Sequence, residues 1–215
     1  RKQHTLLTFG GAFSNHIAAT AAAGFEHNFK TIGVIRGDEL ATNFDEIIKT
    51  NPTLKFASEH NMQFHFVSRS EYRNKSNQEF IANLKEKFGD FYLVPEGGTN
   101  NFAVKGCEEI LTDEDEQYDF ICSSVGTGGT ISGLINSTKK HQKVIGFPAL
   151  KGDFLQNEIE KYVIRNNNWS LKTRYHFGGY AKISEELITF INKFKSETQI
   201  PLDPIYTGKM VFGIV

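Results

Sequence analysis

Ser123-Ser124-Val125-Gly126-Thr127-Gly128-Gly129-Thr130-Ile131-Ser132-Gly133 decides how the rest of the chain is read. A strand-like run, YDFICSS over 118–124, leads into it, and a helix-like run, TISGLINSTKK over 130–140, leads out. The glycines at 126, 128 and 129 let backbone N–H groups approach an anion, and Thr127 and Thr130 add hydroxyl donors at the start of the helix. The stretch therefore reads as strand, phosphate cradle, helix. A tight strand-to-helix turn with no ligand is the plain alternative.

The common nucleotide patterns do not fit the cradle. A nucleotide P-loop needs a lysine after its last glycine, where this chain has Thr130 and Ile131. The dinucleotide fingerprint needs a third glycine where Ile131 stands. A compact Gly/Thr loop between strand and helix fits one small phosphate monoester better, as in a cofactor of the pyridoxal-phosphate kind.

At 215 residues the chain has material for one large or two small domains. A net charge of -1 and the lack of a basic run interleaved with aromatics argue against a nucleic-acid surface. No apolar run approaches membrane-spanning length and no signal peptide opens the chain, so the expectation is a cytoplasmic protein with no membrane partner. The two cysteines, Cys107 and Cys122, have neither metal-ligand spacing nor the density of a secreted scaffold, and read as reduced thiols. The start at Arg1 and the stop at Phe212-Gly213-Ile214-Val215, within a helix-like run, suggest a chain truncated at both ends.

Working outward, Thr5 to Phe9 reads as a buried strand ending in a turn at Gly10-Gly11, with Ser14 capping a helix from Asn15 to Ala23 that Gly24 closes. KTIGVIR over 30–36 is the next strand, and Gly37-Asp38-Glu39 turns the chain. Asn51-Pro52-Thr53 opens a helix over 54–60, and Met62 to Val67 follows as a strand. Residues 68–77 read as exposed and polar, and Phe80, Leu84 and Phe88 fall on one helical face.

A strand over 91–94 runs into the loop Pro95-Glu96-Gly97-Gly98-Thr99-Asn100, followed by a helix from Ala103 to Leu111 and a solvated acidic connector over 113–116. After the cradle come a strand over 143–147, a helix from Phe154 to Arg165, a strand from Ser170 to Tyr175 and a helix from Ser184 to Phe194. This alternation predicts an α/β fold of two open, twisted parallel-sheet domains, 1–95 smaller and 96–215 larger, with ligand in the cleft between them.

Three neighbourhoods could do chemistry. Ser14, Asn15 and His16 stand at a helix start, where free N–H groups favour a carboxylate; an ordinary cap with surface polar residues is the alternative. Tyr180 follows Phe177-Gly178-Gly179, and Tyr206 lies in Asp203-Pro204-Ile205-Tyr206-Thr207-Gly208-Lys209. A phenol beside a cation or a second phenol can carry a proton, and Thr207 can donate to or accept from a ring nitrogen. Lys209 reads as a helix-start cation or a site residue.

GGAFSNH, PEGGTN, SSVGTGGTISG and DPIYTGK, in this order, resemble the D-cysteine desulfhydrase and 1-aminocyclopropane-1-carboxylate deaminase family of pyridoxal-phosphate enzymes, within the tryptophan-synthase β-like fold type II. The resemblance runs over essentially the whole chain. It implies pyridoxal 5'-phosphate as cofactor, a small amino acid as substrate and a homodimer. By position it places Ser14, Asn15 and His16 near the substrate carboxylate, with Asn15 also on the cofactor's phenolic oxygen. Gly126, Thr127, Gly128, Gly129 and Thr130 would hold the phosphate, Tyr180 and Tyr206 would be the active-site phenols, with Ser14 beside them in catalysis, and Thr207 would meet the pyridine nitrogen.

Two departures bear on activity. The family's Schiff-base lysine lies upstream of the Ser-Asn-His tip in an Asn-Lys segment; no position here matches it, and Lys2 is too close to the first strand to be given the role. Without that lysine the chain would be a non-catalytic cofactor-binding relative. Deaminases of the cyclopropane substrate resemble this pattern but carry Glu where Thr207 stands and Gln where His16 stands. A carboxylate there keeps the ring nitrogen protonated, so Thr207 favours β-elimination from D-cysteine over cyclopropane opening.

Overall fold

A computed structural model describes residues 4–164 and 168–215. Within it the chain separates into two compact units, Arg1–Gly98 and Thr99–Val215. Lys2 and Arg165 lie outside the described residues.

In the first unit, β1 (Thr5–Gly11) leads to α1 (Asn15–Glu26) and β2 (Lys30–Arg36). Then come α2 (Glu39–Thr42), α3 (Phe44–Thr50), α4 (Pro52–Glu59), β3 (Gln63–Val67), α5 (Arg69–Arg73), α6 (Gln78–Phe88) and β4 (Tyr92–Leu93). The strands form one parallel sheet in the order β3-β2-β1-β4. Alternate side chains serve opposite faces. Leu7, Phe9, Ile32 and Val34 pack with Tyr72, Leu84 and Phe91, whereas Ile35 packs with Ile17, Ala21, Leu54, Ala57 and Met62. Helices on both faces explain why β2 reads as an unbroken apolar run, each buried side chain contributing about 1.5–3 kcal/mol.

The second unit runs α7 (Asn101–Cys107), β5 (Phe120–Val125), α8 (Gly129–Ser137), β6 (Lys143–Pro148), α9 (Phe154–Glu160), β7 (Trp169–Leu171), α10 (Glu185–Thr198) and α11 (Thr207–Ile214). Its sheet, β5-β6-β7, is again parallel. Val125, Ile131, Ile135, Val144, Leu155 and Ile159 form its core. The α/β class with parallel sheets is as expected. Among the described residues, no helix is long and apolar enough to cross a membrane.

Several local expectations are corrected. Gly10 and Gly11 do not turn the chain; they pair with Ile35 and Arg36 inside the sheet. Gly24 does not end α1 but lies buried within it, where a Cβ would stand 2.1 Å from Thr31 Cγ2. The expected polar stretch 68–77 contains α5, started by a reciprocal Ser68–Glu71 cap and burying Tyr72 to 4% exposure. The helix expected to reach Leu111 ends at Cys107, because Glu109 and Ile110 bond three residues back, to Gly106 and Cys107, and tighten the chain. The helix expected from Phe154 ends at Glu160, with Tyr162 N–H turned back to Ile159 O. Strand β7 stops at Leu171, where pairing with β6 ends, and Thr173–Tyr175 form a 3-10 turn instead.

Candidate functional site

In the second unit, β5 ends at Val125 and α8 begins at Gly129, so the cradle is the link Gly126-Thr127-Gly128 plus the first turn of α8. Gly128 is left-handed, with φ 94°, which glycine adopts without strain. Side chains are crowded out at Gly129 and Gly128, and less so at Gly126. A Cβ on Gly129 would lie 2.8 Å from Thr99 Oγ1, one on Gly128 3.0 Å from Ile159 Cγ1, and one on Gly126 3.4 Å from the Tyr206 phenol oxygen. The hydroxyls of Thr99 and Thr127 share a hydrogen bond of 2.6 Å.

The helices begun by Ser14, Asn51, Ser68, Asn77, Asn100 and Ser184 receive a hydrogen bond from the backbone to that residue's side chain. Gly128 gives α8 none. Free N–H donors at a helix start, with glycines that let an anion approach them and threonine hydroxyls beside them, fit a phosphate monoester.

Tyr206 stands directly before α11, next to the cradle through Gly126. Its ring meets that of Tyr180 edge to face, with centroids 6.2 Å apart at 64°. Burial first, then the neighbouring Tyr180 phenol and Asp203, push the Tyr206 pKa up to about 12, so this phenol keeps its proton at neutral pH.

Asp203 organises the start of α11. Its Oδ1 accepts from the N–H groups of Ile205 and Tyr206 at 2.8 and 2.7 Å. Its Oδ2 accepts from Thr207 N at 2.9 Å and Thr207 Oγ1 at 2.6 Å. Burial pushes this carboxyl up, but the bonds from Thr207, Tyr206 and Ile205 outweigh it and hold the pKa below the ordinary value. Thr207 Oγ1 also accepts from Asp203 N at 2.9 Å. The single hydroxyl proton of Thr207 is thus committed to a carboxylate, and toward any further group this oxygen can only accept.

Lys209 is not a solvated helix-start cation. It is 1% exposed, and its ammonium donates to the carbonyls of His176 and Gly179 at 2.9 and 2.8 Å. Burial lowers its pKa, with Asp203 acting in the opposite sense.

In the first unit, Ser14 Oγ caps α1, accepting from Ile17 N at 3.4 Å, and Asn15 opens the helix in an exposed position. The buried Thr8 fixes the state of His16. Thr8 Oγ1 gives its proton to Val94 O at 3.0 Å, and the same oxygen lies 2.6 Å from His16 Nε2. Nε2 must therefore donate, which leaves Nδ1 with the lone pair when the ring is neutral. Burial lowers the His16 pKa, with Glu96 partly opposing it. A Cβ on Gly98 would approach Nδ1 to 3.3 Å.

Ser14, Asn15 and His16 thus share one helical turn of the first unit. The cradle, Tyr180, Tyr206 and Thr207 belong to the second. Thr8, Thr99 and Asp203 hold neighbouring site residues in place, a role that no motif assigns them. Thr99 lies in PEGGTN and Asp203 in DPIYTGK, and the place of Asp203 shortly before a helix was a legible capping signal.

No protein-family model matches the chain. The chain is 28% identical, over 98% of its length, to the Arabidopsis thaliana protein named bifunctional D-cysteine desulfhydrase/1-aminocyclopropane-1-carboxylate deaminase, mitochondrial, and spans 58% of that protein. It is 28% identical over all of its length to a Pyrococcus furiosus protein named putative 1-aminocyclopropane-1-carboxylate deaminase, spanning 69% of it. Among solved structures, one described as an ACC deaminase homologue superimposes with a TM-score of 0.73 at 24% identity, over 99% of this chain and 68% of the other.

The chain therefore shares its parallel α/β architecture with the solved ACC deaminase homologue. In sequence it is similar over nearly its whole length to proteins named D-cysteine desulfhydrase and 1-aminocyclopropane-1-carboxylate deaminase.

Proposed function

We propose that the protein containing this chain is a pyridoxal-phosphate-dependent lyase that converts D-cysteine and water to pyruvate, sulfide and ammonia. The observation that carries this reading is the uncapped start of α8 at the left-handed Gly128, lying beside the Tyr206 phenol.

Bound pyridoxal phosphate supplies the electron sink that makes an amino acid's α-proton removable. The chain's own groups hold and orient. In the second unit, the backbone N–H groups of Gly126 to Thr130, with the Thr127 and Thr130 hydroxyls, would hold the phosphate. In the first unit, Asn15 would meet the cofactor's phenolic oxygen, and the first turn of α1 would take the substrate carboxylate beside Ser14 and His16. Tyr206 stays protonated and serves as a proton donor, with Tyr180 as its partner. Thr207, whose own proton is held by Asp203, would accept a hydrogen bond from the ring nitrogen in its protonated form.

The test is direct. Full-length protein should be yellow with cofactor and release sulfide from D-cysteine; colourless protein that releases no sulfide contradicts the proposal.

One observation favours a second reading, deamination of 1-aminocyclopropane-1-carboxylate. A threonine alone brings no negative charge to the ring nitrogen, but Thr207 is bonded to the Asp203 carboxylate, so a charge lies one hydrogen bond behind it. Release of 2-oxobutanoate from that substrate distinguishes the two. Thr207→Glu should shift activity toward it, and a variant with no gain would count against the electron-sink argument.

A further inference from the structure

The Tyr180 loop is held by a charge for which the proposed reaction has no use. Residues 176–182 make two successive tight turns, in which Gly179 N donates to His176 O at 3.0 Å and Lys182 N to Gly179 O at 3.1 Å. Tyr180 is the first central residue of the second turn. Lys209 Nζ donates to the same two carbonyls, so each receives one bond from the loop and one from α11. The loop needs such a tie: Phe177, Gly178, Gly179 and Ala181 have φ of 51°, 93°, 120° and 56°, and two of these are not glycine.

Lys209 is an expensive residue to use for mere capping. It is removed from water, and it sits near the start of α11, where the helix dipole disfavours a cation. Among the described residues it forms no ion pair; backbone carbonyls hold it. It also lies three residues after Tyr206, on the same side of one helical turn. The group that grips Tyr180's turn is therefore rigidly tied to Tyr206, whose ring meets Tyr180 edge to face.

We infer that Lys209 is the positioning residue for the Tyr180–Tyr206 phenol pair, its ammonium fastening the two turns that carry Tyr180 to the helix that Tyr206 begins. The use of the pair in catalysis rests on the function proposed above; the fastening itself does not.

Contact between the two phenol rings tests this without any turnover. In full-length protein at neutral pH, NMR cross-peaks between the Tyr180 and Tyr206 ring protons report their edge-to-face contact. In Lys209→Met these cross-peaks should weaken or vanish as the rings separate. A folded Lys209→Met protein whose ring cross-peaks are unchanged overturns the proposal.

Lys209→Gln, which retains a donor for one carbonyl, should keep weakened ring cross-peaks, and it replaces the Met variant if that one does not fold. Should neither fold, the unaltered protein carries the test. Slowly exchanging Lys209 Nζ protons with cross-peaks to residues 176 and 179 support the fastening, and rapid exchange without them contradicts it. Because no readout depends on sulfide, an inactive protein with a coupled phenol pair would defeat the proposed function and leave this inference standing.

Discussion

Two helix starts, one in each unit, follow a parallel strand closely and treat their free N–H groups in opposite ways. At α1 a serine hydroxyl accepts from the backbone, although at 3.4 Å the bond is long. At α8 a left-handed glycine stands in the same place and offers no acceptor. The same backbone physics yields an end at which a side chain takes up one N–H group in one unit and an end with no side-chain cap in the other. On the proposed function, the start of α8 takes the phosphate because it combines a missing cap with glycines that keep Cβ atoms away from the approach.

The largest expected effect comes from closing the open end. Gly129→Ala would press a Cβ to within 2.8 Å of Thr99 Oγ1. Binding of pyridoxal 5'-phosphate, followed by its absorbance, should weaken by more than about tenfold, or about 1.4 kcal/mol. Unchanged affinity would break the contrast between the two ends.

Removing the cap from the other end should act differently. Ser14→Ala is expected to lower stability in denaturant melts by about 1 kcal/mol while leaving phosphate affinity in place. A variant that lost phosphate binding and kept its stability would reverse the two assignments.

The smallest effect is on pH. The folded pKa of His16 is lowered from 6.5, so above that value the ring is neutral in both the folded and unfolded chain and adds no pH dependence. Between the ordinary and the lowered value only the unfolded chain takes up the proton, so stability falls as pH drops through this window. His65 is shifted the same way, first by burial and then by Lys87. Melts at about pH 7.5 and about pH 5.5 should therefore differ, and His16→Gln should narrow the difference without abolishing it. An equal difference in the variant would mean that His16 is not the neutral ring held by Thr8.

The strand, glycine loop and helix around Gly126–Gly129 and the strand Lys30–Arg36 could be read directly from residues, because both depend on local pattern: a glycine cluster in one case, a mostly apolar run between charged ends in the other. The short helices were less legible. Helix α5 has five residues, too few for periodicity to show, and its only signal was the Ser68–Glu71 pairing at capping distance. Gly24 misled because glycine marks helix ends, whereas here it makes room for Thr31 on a neighbouring strand, a tertiary demand with no local trace. Lys209 was least legible of all: nothing near it in sequence says that carbonyls about thirty residues earlier would take its ammonium out of water.

The most direct measurement on the central claim compares two ligands on the full-length protein, pyridoxal 5'-phosphate and pyridoxal, the second lacking only the phosphate. If the open start of α8 holds that group, the phosphorylated form binds at least about tenfold more tightly, and the advantage disappears in Gly129→Ala. Equal affinity for the two ligands, or an advantage that survives the substitution, would contradict the account.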